Sequence, residues 1–236
     1  MGVLLALGVL LQEEIEQIRT KTAYVLDAEE VEVDFVASFL RFREDGAGLD
    51  ESRLLVEVEA GVTDWLMAEI EVPYVFLNPT RGPGERGWGD LELELKAGIP
   101  GSWQGIEAAV GVEVSLRTGD EDRGLGSRHT ELGFFAAASR KFDGWTAHLQ
   151  GGVEVARGAK PEYEINAAID AHPWGRELSL LLAMNVEIEP GEGPGWALVP
   201  GFEVRFDELQ FGAGFPVGLT EEAARWGVIV DVEIEF

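Results

Sequence analysis

The chain of 236 residues has no cysteine, three histidines, and 18 Lys and Arg against 44 Asp and Glu. Each shortage excludes something. Without cysteine there is no disulfide framework and no thiolate metal site. His129, His148 and His172 do not stand at metal-ligand spacing, so no zinc site is expected. A formal net charge of −26 repels nucleic-acid phosphates and favours cations or uncharged solutes as partners. Long hydrophobic runs are scarce as well. Beyond Val3–Leu11 no stretch is apolar for long enough to make a transmembrane helix. No Gly-rich phosphate loop joins a strand to a helix, and no cofactor is expected.

What is present is alternation. The last strand-like segment, Trp226 to Phe236, places Trp226, Val228, Val230, Val232, Ile234 and Phe236 on one face and Asp231, Glu233 and Glu235 on the other. About twelve such segments occur, near 30–42, 53–63, 65–77, 88–99, 103–117, 128–141, 145–156, 162–172, 177–188, 196–206, 208–218 and 226–236. Joins rich in Gly, Pro and acid (Arg43–Ser52, Asn78–Gly87, Thr118–Ser127, Arg157–Pro161, Glu189–Gly195, Thr220–Arg225) alternate with tight ones at Thr63-Asp64, Pro100–Ser102, Phe142–Gly144, Pro173–Arg176 and Asp207-Glu208. Long outer loops alternating with short periplasmic turns are the habit of an outer-membrane barrel. The expected fold is therefore all-β, a transmembrane antiparallel up-and-down barrel of about twelve strands, with both chain ends on the periplasmic side. A soluble acidic β-barrel that binds a ligand is the alternative. Residues 1–11 read as a truncated signal peptide, 12–29 as an N-terminal leader or plug segment, and 30–236 as the barrel. Within the leader, Ile15 and Ile18 would share one face of a short helix; this stretch could cross the periplasmic mouth, enter the lumen or stay disordered.

Tryptophans mark the segment ends. Trp65, Trp103, Trp145 and Trp174 stand beside short joins, and Trp88, Trp196 and Trp226 open segments after long ones. With the terminal Phe236 they form the expected membrane girdle, since indole rings prefer the headgroup level. Phe236 on the last strand also points to the barrel-assembly machinery as a partner.

A charge at the bilayer midplane costs about 2 to 4 kcal/mol for Lys or Arg and somewhat less for an acid, so the carboxylates must be wet. With the apolar face toward lipid, Glu57, Glu59, Glu69, Glu71, Asp90, Glu92, Glu94, Glu107, Glu113, Glu154, Asp170, Glu203, Asp231 and Glu233 face the lumen, with His148 and Arg205 beside them. By this reading the inward wall is acidic almost everywhere. It predicts a cation-favouring lumen whose selectivity weakens at low pH. Two other constellations are weaker. Thr118-Gly-Asp-Glu-Asp122 offers several oxygens without EF-hand spacing, so no metal site is expected there. Ser139 and His148 on adjacent segments make a nucleophile and a base with no evident third group, so no catalytic residue is assigned; a barrel-type outer-membrane hydrolase is kept as an alternative.

Several stretches resemble the outer-membrane barrel family named for the meta-pathway of phenol degradation. They are Gly61-Val-Thr-Asp-Trp-Leu-Met-Ala-Glu-Ile-Glu-Val-Pro-Tyr74, Gly87-Trp-Gly-Asp-Leu-Glu-Leu-Glu-Leu-Lys-Ala-Gly98, Thr118-Gly-Asp120 with Gly-Leu-Gly126, and Ala138-Ser-Arg-Lys-Phe-Asp-Gly-Trp-Thr-Ala-His-Leu149. The resemblance implies a non-enzymatic outer-membrane channel or transporter for small solutes, with aromatic or hydrophobic compounds among them, and carries over no ligand or catalytic residue.

Overall fold

The computed structural model describes residues 21–44, 47–101, 103–173, 177–191 and 193–236. The expected signal at 1–11, the Ile15 and Ile18 face of the leader, and Trp174 lie outside those residues. In chain order the strands are β1 (Val31–Glu44), β2 (Ala47–Thr63), β3 (Leu66–Pro79), β4 (Glu85–Trp88), β5 (Leu91–Gly98), β6 (Ile106–Leu116), β7 (Glu131–Phe142), β8 (Trp145–Ala156), β9 (Glu162–Ala171), β10 (Leu178–Ile188), β11 (Gly195–Phe206), β12 (Leu209–Gly214), β13 (Val217–Gly218) and β14 (Trp226–Glu235).

Every pairing is antiparallel, and the β1–β14 ladder closes the sheet on itself. β4 and β5 both pair with β3, and β12 and β13 both pair with β11, so the strands form twelve staves. One stave breaks at Gly89-Asp90 and the other at Phe215-Pro216, where proline removes a ladder donor. A closed sheet leaves no edge, which is what a hydrocarbon surround requires of a β structure.

Alternation decides which way each stave faces. On β8, Thr146, His148 and Gln150 are buried inside, while Leu149 between them is 55% exposed outside. Leu54, Leu95, Phe134, Ile165 and Leu182 repeat that outward exposure on β2, β5, β7, β9 and β10. Apolar side chains therefore ring the outer circumference, a surface far larger than water tolerates. The soluble alternative falls on this point, because the carboxylates are inside and the aliphatic residues outside. Outward-facing Arg140 sits near its strand end, where it can reach the interface; its guanidinium lies 5.0 Å from the Phe142 ring.

One expected long join is shorter than the sequence implies. β1 and β2 stay paired to Glu44 and Ala47, so Arg43–Ser52 is mostly hairpin. Phe42 and Leu49 are cross-strand neighbours, both buried, and they pack with Leu77 inside the long-loop mouth. That packing extends the ladder beyond the length a bilayer requires.

Candidate lumenal site

The ladder registers bring the inward carboxylates into files. Glu235 pairs with Glu32, Glu32 with Glu59, Glu59 with Glu69, Glu69 with Glu94, and Glu94 with Glu113. The same row continues through Gly133 to Glu154 and Glu162. Two residues along, Glu233, Asp34, Glu57, Glu71 and Glu92 form a second file, which runs on through Ser115 to Glu131. Directly opposed like charges in a sheet destabilise it by up to about 1 kcal/mol per pair, so this arrangement opposes barrel stability. It also gives the lumen a continuous stripe of negative potential.

Of the expected lumen residues, Glu57, Glu71, Asp90, Glu92, Glu94, His148, Asp231 and Glu233 are buried against the interior. Glu59, Glu69, Glu113, Glu154, Asp170 and Glu203 are half-buried, while Glu107 and Arg205 are exposed toward the short-turn end. Trp65, Trp103, Trp145 and Phe236 stand exposed toward the short turns, Trp88 and Trp226 are exposed at the opposite end, and Trp196 there is half-buried. The lumen is not acidic all round. Val36, Leu55, Ala168, Leu181, Ala183, Val199 and Ile229, on β1, β2, β9, β10, β11 and β14, form an apolar band on the inward face. Reading charges at inward positions overlooked the small and aliphatic residues that share them.

Asp90 does a different job from its neighbours. Its Oδ1 accepts the backbone N–H groups of Thr118 (2.8 Å) and Gly119 (2.7 Å), and its Oδ2 accepts that of Ser127. In return the Leu91 amide donates to Thr118 Oγ1 at 2.8 Å. A Cβ on Gly119 would lie 2.5 Å from the Leu125 carbonyl oxygen, so only glycine fits where the two segments cross. Leu125 at the tip is buried with Leu40, Phe42, Leu49, Val75, Leu77 and, from the loop before β14, Ala224. Two loops thus pack apolar residues into the long-loop mouth. Nearby, the Arg128 hydrogen bond holds the half-buried Glu121 carboxyl below the usual carboxylate range.

Ser139, His148 and Asp170 stand on β7, β8 and β9. Ser139 Oγ lies 2.9 Å from His148 Nδ1, and His148 Nε2 lies 2.8 Å from Asp170 Oδ2. Asp170 is the third group that the sequence did not reveal as a partner for the pair. With Nε2–H donating to Asp170, Nδ1 accepts the serine hydroxyl proton, which leaves the serine lone pairs for another donor. That donor is the Ala23 backbone N–H at 3.0 Å. Ser139 is 1% exposed, so its oxygen is spent on the leader and shielded from solutes.

Residues 21–30 run from the short-turn mouth into the barrel. Glu29 N donates to Gly61 O, and Gly61 N to Glu30 O, at the rim. Further along, Tyr24 meets the His148 ring edge-on at 6.0 Å and Lys141 Nζ lies 4.2 Å from the Tyr24 ring centre. At Lys21 the backbone N–H donates to Gln150 Oε1 (2.8 Å), and the ammonium donates to Glu94 and to Glu113 (2.7 Å). Around this segment lies a cavity of about 590 Å³, lined by Glu32, Glu59, Glu69 and Glu94 of one file and Glu57, Glu71 and Glu233 of the other, and reaching the apolar band at Val36, Leu181 and Ile229.

Solved structures with this architecture include outer-membrane channels and porins. An outer membrane channel from Pseudomonas putida F1 superposes with a TM-score of 0.73 at 12% identity, over 92% of this chain and 98% of that one. This is the fold of an outer-membrane β-barrel. The KdgM porin follows with a TM-score of 0.61 at 10% identity, over 87% of this chain and 99% of the porin. The CymD monoaromatic hydrocarbon channel gives 0.50 at 7% identity, over 94% and 92%. No family model matches the chain, and no curated protein matches it. The barrel resides in an outer membrane, as its apolar circumference demands.

Proposed function

We propose that this barrel is a non-enzymatic channel for passive passage of small cationic or polar solutes. The carrying observation is the pair of carboxylate files, which hold negative charge along the wall of the cavity. A low-dielectric surround focuses such a field and concentrates counter-ions at the entrance. The solved channels and porins of the same fold support the reading. The short turns and the carboxy-terminal end face the periplasm in this reading, the amino-terminal end lying outside the described residues, and the β14 strand ending near Phe236 is presented to the assembly machinery. The resemblance to the phenol meta-pathway barrels fits the same role. The apolar band gives a hydrophobic solute one place to rest, whereas the files give it none, so cations are the favoured cargo.

Reversal potentials in a planar bilayer under a salt gradient test this. Cation preference at neutral pH that shrinks as acid neutralises the carboxylates is expected. A preference for anions at neutral pH overturns it. A second reading, a lumenal serine hydrolase, has the Ser139–His148–Asp170 chain in its favour and the buried, leader-capped serine against it. Ester hydrolysis by the refolded barrel that disappears in Ser139→Ala would establish that reading instead.

A further inference from the structure

The geometry points to a primary-ammonium site in the lumen, built by Glu94, Glu113 and Phe135 and filled here by the chain's own Lys21. This inference rests on the carboxylate-lined, cation-favouring channel and names the chemistry of one station within it.

Among the described residues, three groups converge on the Lys21 nitrogen. Glu94 Oε2 and Glu113 Oε2 accept its N–H groups, and the face of the Phe135 ring lies 4.8 Å away. Two carboxylates supply charge and direction, and the aromatic face adds a cation–π contact. The pocket is shaped for that ring. Phe135 lies over Gly111, where a Cβ would come within 2.1 Å of Phe135 Cζ, so the glycine is what lets the aromatic face into the site. The pair is also one link of a file, because Glu94 and Glu113 are cross-strand partners and Glu69 stands on the other side of Glu94.

The site has acceptor capacity that Lys21 leaves unused. Glu94 is 4% exposed, and its Oε1 has no hydrogen-bond partner among the described residues. A buried carboxylate oxygen left without a donor is destabilising, and a ligand with a freely oriented ammonium relieves that penalty. Lys21 cannot orient freely, since its backbone is clipped to Gln150 and Ala23 to Ser139. The leader therefore acts as a tethered competitor. A tethered ligand stands at an effective concentration on the order of millimolar, so free amines displace it only when they are abundant or bind better. Beyond Glu94 the file offers Glu69 and Glu59, about 5 and 10 Å away at sheet spacing, within reach of the second nitrogen of a short diamine. Potassium lacks directed N–H donors and gains nothing from the fixed carboxylate geometry beyond its charge. Small primary amines and diamines are the ligand class.

The test is calorimetric titration of 1,5-diaminopentane into the full-length barrel refolded in detergent, with heat-modifiable gel migration to verify folding. Lys21→Met removes the competitor and should tighten diamine binding by about tenfold or more. Glu113→Gln placed on Lys21→Met should lose that gain, and Glu94→Gln should do the same if Glu113→Gln folds poorly. Titration with 1-pentanol should give no heat of binding. Equal binding by wild type and Lys21→Met, or undiminished binding in both glutamine variants, overturns the ammonium site. Its failure is separable from that of the channel reading. A barrel with cation-selective reversal potentials that fails the titration keeps its acidic lumen and loses this site. One that binds the diamine without cation selectivity keeps the site and loses the selective channel.

Discussion

Two regions of this barrel use inward-facing carboxylates in opposite ways. In the long-loop mouth, Asp90 is 1% exposed and three backbone amides of the β6–β7 loop converge on it. Along the ladder wall, Glu59, Glu69, Glu94 and Glu113 stand directly opposite one another on four neighbouring staves. The residue chemistry is the same and both regions are inward, yet one acid ties loop to wall while the others oppose like charge to like charge across the ladder, with the Lys21 ammonium set between Glu94 and Glu113. What separates them is the supply of donors. Irregular backbone brings unpaired N–H groups to Asp90, whereas a regular ladder spends its N–H groups on the next strand and leaves side chains to face side chains.

Removing an acid should therefore have opposite signs in the two regions. Asp90→Ala orphans three amides in a buried crossing and should cost about 3 kcal/mol, read as a lower urea midpoint for unfolding in detergent. It should also expose the β6–β7 loop to protease. A midpoint unchanged within error would mean that Asp90 and the lumenal glutamates are equivalent after all. Ser139→Ala comes next. It removes the acceptor of the Ala23 amide and should cost about 1 kcal/mol, with the leader more readily cleaved and no change in the registers of β7 and β8. If leader proteolysis does not change, the Ser139 contact is not what holds it.

Glu69→Gln sharpens the contrast from the other side. Glu69 has Glu59 and Glu94 as cross-strand neighbours, so neutralising it removes repulsion and should raise the urea midpoint by the equivalent of about 1 kcal/mol or less. Cation selectivity in reversal-potential measurements should fall in the same variant. Stability and selectivity would then trade against each other within the file, as expected where function needs like charges held together. A drop in stability on this substitution would show that the file is neutralised more fully than its geometry implies.

The division between the regions was only partly legible in the sequence. Alternation in segments such as Val228–Ile234 and Leu91–Leu95 fixed the inward and outward faces, because side-chain period in a strand is two residues and lipid punishes the wrong choice. Alternating join lengths fixed the up-and-down order. Register was not legible, since a stave with Glu at every second position could slide by two residues and look the same, and it is register that opposes Glu94 to Glu113. Partners from loops were hidden for a related reason. Nothing in Gly87-Trp-Gly-Asp90 states that Thr118-Gly119 returns to it, although both stretches carried the family resemblance. Phe135 left a faint signal, because adjacent Phe134 and Phe135 must send one ring inward. Asp170 was placed in the lumen by parity, but its hydrogen bond to His148 depends on rotamers that no pattern reports.

The smallest effect belongs to the exposed rim of the same loop that Asp90 organises. Glu121 accepts from Arg128 Nε at 2.8 Å and Arg117 at 3.0 Å, and the Arg128 hydrogen bond, helped by the charges of Arg128 and Arg117, holds its carboxyl below the ordinary range. A depressed carboxyl contributes fully above its unfolded pKa, and the contribution is lost as pH falls through the folded value. Both arginines of the cluster are exposed to water, so screening leaves little of it. Proteolysis of the β6–β7 loop should therefore accelerate slightly on the acid side in the wild type, and Glu121→Gln should remove that slope while leaving the urea midpoint where it was. A Glu121→Gln effect as large as that of Asp90→Ala would move the anchor of the loop from the buried crossing to the solvated rim and reverse the order of the two regions.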